Sequence, residues 1–139
     1  GLYSMLVKTE TGPSIVACST CRFSKDARDS ANGERGGMLL YDALQQVKES
    51  SPEYAGISVQ KMACLFACSD HCTVHIRAEE KIGYVLGKFA PDTEAAKALL
   101  DYAVHYAGST DGRVPYSHWP EGVKGHFITR TPPVGFVEE

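Results

Sequence analysis

Five cysteines in two groups constrain this chain more than any other feature. Cys18-Ser19-Thr20-Cys21 is the first group; Cys64, Cys68 and Cys72 form the second, in C-x3-C-x3-C spacing. Five is odd, so a closed set of disulfides would leave one thiol over. A chain of 139 residues that is 43% apolar has enough material for a core without covalent staples. The first residues carry neither the basic stretch nor the long apolar run of a secretory signal, and Gly1 to Ser4 read as additions ahead of Met5. A reducing cytosol is the expected compartment, where clustered thiols more often bind metal or do redox chemistry.

Local patterns say where those thiols land. Ser14-Ile15-Val16-Ala17 is a short apolar run, read as a buried strand ending at Cys18. Arg22 to Gly37 is polar and predicts a loop. Leu40, Leu44 and Val47 recur at helical spacing, so Met38 to Glu49 is expected to be a helix, stopped by Ser50-Ser51-Pro52. Ile57 to Met62 alternates as a half-buried strand does. Thr73 to Arg77 and Ile82 to Phe89 predict two more strands, joined as a hairpin by Ala78-Glu79-Glu80-Lys81. Asp92 is the expected N-cap of a second helix, with Leu99, Leu100, Ala103 and Val104 on its buried face. Gly108 is expected to stop that helix in the left-handed position. From Ser109 onward the chain is rich in Pro and Gly with scattered aromatics, and is expected to wrap the sheet edge.

The fold class expected from this order is α/β and thioredoxin-like. It has a central mixed sheet of about four strands, two main helices and an extended C-terminal tail. The expected organisation is an N-terminal extension over 1–13, one domain over 14–108, and a tail over 109–139 packed on it. A right-handed crossover makes the first two strands parallel, so both end at the same edge of the sheet. Cys18 and Cys21 would meet Cys64 and Cys68 there, with Cys72 just ahead of the third strand.

Three chemistries compete for such a site: thiol–disulfide exchange, a four-sulfur zinc site and a [2Fe–2S] cluster. Exchange is disfavoured on two counts. A long loop separates Cys21 from the helix whose N-terminus would acidify it. No proline occurs between Pro52 and Pro91, where thioredoxin enzymes carry a cis-proline. A net charge of −3 leaves nucleic-acid binding without an electrostatic footprint. No apolar run approaches the roughly 18 residues of a membrane span.

Other residues receive smaller roles. Arg22, Lys25 and Lys61 lie near the cysteines in sequence and either offset cluster charge or are simply solvated. Phe66 is expected to pack over the sulfurs. His71 and His75 flank Cys72 but read as loop and strand residues, and His105, His118 and His126 receive no role. Gly36-Gly37 is expected to be a flexible loop end rather than a phosphate seat.

The cysteine pattern resembles that of the thioredoxin-like [2Fe–2S] ferredoxins, over about residues 14 to 107. Cys18 matches the first ligand position, and Cys64-Leu65-Phe66-Ala67-Cys68 matches a C-x3-C pair after the second strand. That family places its second ligand close before the helix. Asp29 to Gly37 holds no cysteine, so Cys21 stands in and Cys72 is the alternate. Cys18-Ser19-Thr20-Cys21-Arg22, Cys64-Leu65-x2-Cys68-x3-Cys72 and Arg130-Thr131-Pro132-Pro133 also resemble a bacterial family labelled predicted metal-binding, whose genes often neighbour cobalamin-biosynthesis and cobalt-handling genes. The resemblance implies a cytoplasmic electron carrier rather than a catalyst. It would hold a [2Fe–2S] cluster through Cys18, Cys21, Cys64 and Cys68, with redox partner proteins and a homodimer, and would supply electrons for cobalt or corrin reduction. The alternative is a zinc- or cobalt-binding trafficking protein without redox turnover.

Overall fold

The computed structural model describes residues 5–67 and 70–139. Its elements follow in the order β1 (Ser14–Cys18), α1 (Gly36–Ser50), β2 (Ser58–Met62), β3 (Val74–Arg77), β4 (Gly83–Leu86), α2 (Thr93–Gly108) and β5 (Phe127–Thr131), with short 3-10 turns between. They build one mixed sheet of order β2-β1-β3-β4-β5. β1 and β2 run parallel, and every other pair is antiparallel. The sheet therefore has five strands, not about four. The fifth comes from the tail, where Phe127 to Thr131 zips onto β4 and covers its open edge. Sequence reading missed it because Phe127-Ile128-Thr129-Arg130-Thr131 sits in a Pro/Gly-rich stretch and is mostly exposed.

β1 is buried along its whole length, as a central strand flanked on both sides must be. Ile15 and Ala17 join Val59, Val74, Ile76 and Leu86 in the core, together with Leu40 and Leu44 of α1 and Leu99, Leu100 and Ala103 of α2. Burying each large aliphatic side chain contributes about 1.5–3 kcal/mol, which is what holds the helices to the sheet. The tail is fastened by aromatic edges. Phe127 meets Tyr84 at 5.6 Å, Tyr102 at 5.5 Å and Trp119 at 4.6 Å between ring centroids. The Trp119 indole N–H donates to the Val114 carbonyl at 2.8 Å.

The helix ends match expectation at two of four places, one being the end of α1, which stops at Ser50 just before Ser51 and Pro52. α2 starts as expected, with the Asp92 carboxylate accepting from the Ala95 N–H at 2.9 Å. Its end does not need a left-handed residue. Gly108 stays helical, and the Ser109 N–H and hydroxyl donate to the Tyr106 carbonyl at 3.1 and 2.7 Å. α1 starts two residues early, because Gly36 and Gly37 form its first turn instead of a flexible loop end. A Cβ on Gly37 would overlap the Cys18 carbonyl oxygen, and one on Gly36 the Arg22 carbonyl oxygen. The glycine pair thus lets the helix start press directly on the first cysteine loop. Among the described residues, no helix is long and apolar enough to cross a membrane.

Candidate functional site

Parallel pairing sets the site. Cys18, the last residue of β1, stands opposite Met62, the last of β2. Past these ends the chains stay tied: the Ser19 N–H donates to the Met62 carbonyl at 2.9 Å. The Thr20 hydroxyl donates to the Ala63 carbonyl. The loops that carry Cys21 and Cys64 therefore lie side by side at one edge of the sheet. A third loop closes in from the start of β3, where the Cys18 N–H donates to the Thr73 carbonyl at 2.9 Å.

The sulfurs differ sharply in environment. Cys18 and Cys21 are both buried and lie close enough to shift each other's titration in opposite directions. The Cys21 thiol is what most holds Cys18 below the usual thiol range, at about 5. Burial opposes this, while the Leu65 N–H and the Thr20 N–H and hydroxyl add to it. Cys21 is pushed upward, because it keeps the proton shared with Cys18 and is itself desolvated; the Thr73 N–H and hydroxyl pull the other way. The Cys64 sulfur, half-buried, accepts from the Phe66 N–H at 3.3 Å. Cys72 is fully buried, its thiol pushed up to about 12 by desolvation, with the Cys18 and Asp92 charges adding. It donates to the Arg22 carbonyl at 3.5 Å. Cys68 lies outside the described residues. Among the described residues, no three or more His, Cys, Asp or Glu side chains stand in metal-holding geometry.

A pocket of about 310 Å³ opens on the Cys18–Cys21 pair, lined by Thr20, Arg22, Arg28 and Arg35 as well. Arg35 is fixed in place: its Nη1 donates to the Thr20 carbonyl at 2.7 Å, and its Nε pairs with Asp29 at 3.4 Å. Arg22, singled out in the sequence, lines this pocket. Lys61 instead sits 5.0 Å over the Tyr41 ring of α1. Sequence reading missed Arg28, Arg35, Thr20 and Thr73. The only linear signal was the arginine content of the polar loop, whose fold is set by the Asp29–Arg35 bridge and by Ser30, which accepts from the Asn32 and Glu34 N–H groups.

Two further expectations change. Phe66 does not pack over the sulfurs: it is 93% exposed, at a φ of 58°. The long loop between Cys21 and α1 does not hold them apart: it folds back so that the Gly37 N–H of the first α1 turn donates to the Cys21 carbonyl at 3.2 Å, a backbone contact that leaves the Cys21 thiol pushed up rather than acidified. His75 does lie on a strand, with burial lowering its pKa and its Nε2 without a partner among the described residues.

This arrangement of a parallel β1–β2 pair, an antiparallel hairpin and two helices is the thioredoxin-like fold. It is shared with a thioredoxin-like [2Fe–2S] ferredoxin from Aquifex aeolicus, at 14% identity and a TM-score of 0.53, over 92% of this chain and 100% of that one. A second structure, of the wild-type thioredoxin-like [2Fe–2S] ferredoxin from Aquifex aeolicus, aligns at 15% identity and a TM-score of 0.50, over 68% of this chain and 87% of that one. No curated protein matches the chain. The chain belongs to the family described as Protein of unknown function (DUF1636), whose model matches residues 15–133.

Proposed function

We propose that this protein carries electrons on a [2Fe–2S] cluster held by Cys18, Cys21, Cys64 and Cys68. The observation that carries this reading is the gathering of the Cys18–Cys21 pair and the Cys64 loop at the shared end of β1 and β2, with backbone N–H groups directed at sulfur. The Phe66 N–H donates to the Cys64 sulfur at 3.3 Å, and the nearby Leu65 and Thr20 N–H groups favour the charged form of Cys18, as the Thr73 N–H does that of Cys21. Such donors favour thiolate over thiol, and thiolates are what iron requires. Bound, the cluster would supply one-electron reduction at low potential. The chain's own part is to hold charged sulfur at the end of the sheet, lower the cost of added negative charge with N–H dipoles and the nearby arginines, and limit water.

Cys72 remains the alternate ligand. Its full burial and its bond to the Arg22 carbonyl suit a protonated thiol better than a metal-bound one. The fold shared with a [2Fe–2S] ferredoxin supports the electron-transfer reading. Delivery to a cobalt or corrin reduction, in the reducing cytosol, is the finer proposal, and it rests on the resemblance to the metal-binding family alone.

Anaerobic purification tests the reading. The expected product is red-brown, holds iron and acid-labile sulfide in equal amounts, and loses visible absorption on dithionite. Cys→Ser at positions 18, 21, 64 and 68 should each abolish the colour, and Cys72→Ser should keep it. A colourless protein with stoichiometric zinc would establish the trafficking alternative instead. Colour lost with Cys72→Ser and kept with Cys21→Ser would overturn the ligand set.

A further inference from the structure

We propose that the cysteine end of the sheet is a docking surface for an acidic protein partner, anchored by Phe66 and steered by Arg22 and Arg28. This rests on the electron-transfer reading and supplies the chemistry of the partner.

Phe66 is the first observation. A lone exposed apolar residue is ordinary on a protein surface. This one combines 93% exposure with a φ of 58°, a left-handed conformation that side chains other than glycine enter at a cost. The fold holds a bulky aromatic ring in a strained position, left almost wholly exposed by the described residues. Met62, 46% exposed, ends β2 on the same edge. Both flank the Cys64 loop.

Charge is the second observation, and it is independent of the first. Arg22 and Arg28 are exposed and line the pocket over Cys18 and Cys21. Neither makes an ion pair among the described residues, whereas Arg113 pairs with Asp111 and Glu138, and Arg130 pairs with Glu138. The chain as a whole carries −3, yet two of its free guanidinium groups stand at the sulfur edge. Arginine and aromatic anchors are the residues that protein interfaces favour. Complementarity then calls for carboxylates on the partner, around an apolar recess that takes the Phe66 ring. A small anion would satisfy the arginines but leave Phe66 with no purpose. A partner seated here would lie directly over the Cys18–Cys21 pair, where an electron must leave or enter.

Binding of the full-length protein to two probe proteins tests this: a flavodoxin chosen for its acidic face, and the basic cytochrome c. Each is titrated over a range of salt with protein as isolated and again after metal removal. Flavodoxin should bind more tightly than cytochrome c, with affinity falling as salt rises, and amide shifts should cluster at 22–35 and 63–66. The double variant Arg22→Glu with Arg28→Glu should weaken flavodoxin binding about tenfold and flatten its salt dependence. Phe66→Ala should weaken it without altering the salt dependence. Lys48→Glu, on α1, should change nothing. Unchanged affinity in the arginine and Phe66 variants, or tighter binding of cytochrome c, overturns the proposal. So does a dimer that Phe66→Ala dissociates, since a second copy would then be the occupant. Intact flavodoxin binding by anaerobically isolated protein that holds no iron would strike the electron-transfer reading and leave the surface standing.

Discussion

Gly37 shows what one atom decides at this site. Glycine inside a helix ordinarily costs about 1 kcal/mol relative to alanine, so replacement should stabilise. Here the added Cβ would run into the Cys18 carbonyl oxygen, which is backbone and cannot step aside. Gly37→Ala is therefore expected to destabilise by about 1–3 kcal/mol, and to disturb the cysteine loop with it. Gly108 is the opposite case: it is exposed and helical, and nothing lies within 4 Å of the place a Cβ would take. Gly108→Ala is expected to be neutral or stabilising by up to about 1 kcal/mol. Denaturant unfolding of both variants checks the pair, and a stabilised Gly37→Ala would contradict the packing described above. The cysteines themselves were legible as a site, because thiols at regular spacing are rare outside metal and redox chemistry. The glycines were not, since their reason lies in a carbonyl contributed by another element.

Between elements, one polar contact stands out against an apolar background. Tyr54, in the turn between α1 and β2, is buried and donates to the Asp101 carboxylate of α2 at 2.5 Å. Burial, and then the Asp101 carboxylate, push its phenol up to about 12 from an ordinary 10.0. A raised value in the folded state means that folding favours the protonated phenol. The associated stability is present below pH 10 and is lost as pH rises from 10 to 12. Tyr54→Phe should cost about 1–2 kcal/mol at neutral pH and make this part of the alkaline loss disappear. Unfolding midpoints of both proteins across the alkaline range measure it; parallel curves would show that Tyr54 does not titrate with folding. The elements were largely readable in sequence because each rests on local periodicity: alternation in β2 and β3, and the i, i+4 spacing of Leu40 and Leu44 in α1. β5 was hidden, since an edge strand with one partner and an exposed face carries little apolar pattern.

For the whole molecule, the tail is the part whose removal tells most. β5 covers the edge of β4, and Phe127 and Trp119 cap the aromatic group around Tyr84 and Tyr102. Aromatic contacts of this kind add about 0.5–1.5 kcal/mol each beyond the area they bury. A chain ending at residue 126 is expected to melt several degrees lower and to associate through the bared β4 edge, read by light scattering. A chain ending at residue 133 keeps β5 and loses the exposed Glu138 ion pairs and the mostly exposed Phe136 and Val137, so its melting temperature should stay nearly unchanged. A monodisperse, equally stable chain ending at 126 would show that the tail is dispensable.

Sequence alone determined that the thiols come in two groups, that a crossover helix separates them, and that parallel strands would bring both groups to one sheet edge. Those are consequences of chain order, periodicity and handedness, all carried by near neighbours. Only the tertiary structure decided that a polar loop folds back so that Arg28 and Arg35 line the sulfur pocket, that the α1 start presses on Cys18, and that Phe66 stands outward. These depend on backbone hydrogen bonds and close contacts between segments far apart in sequence, for which no local pattern exists.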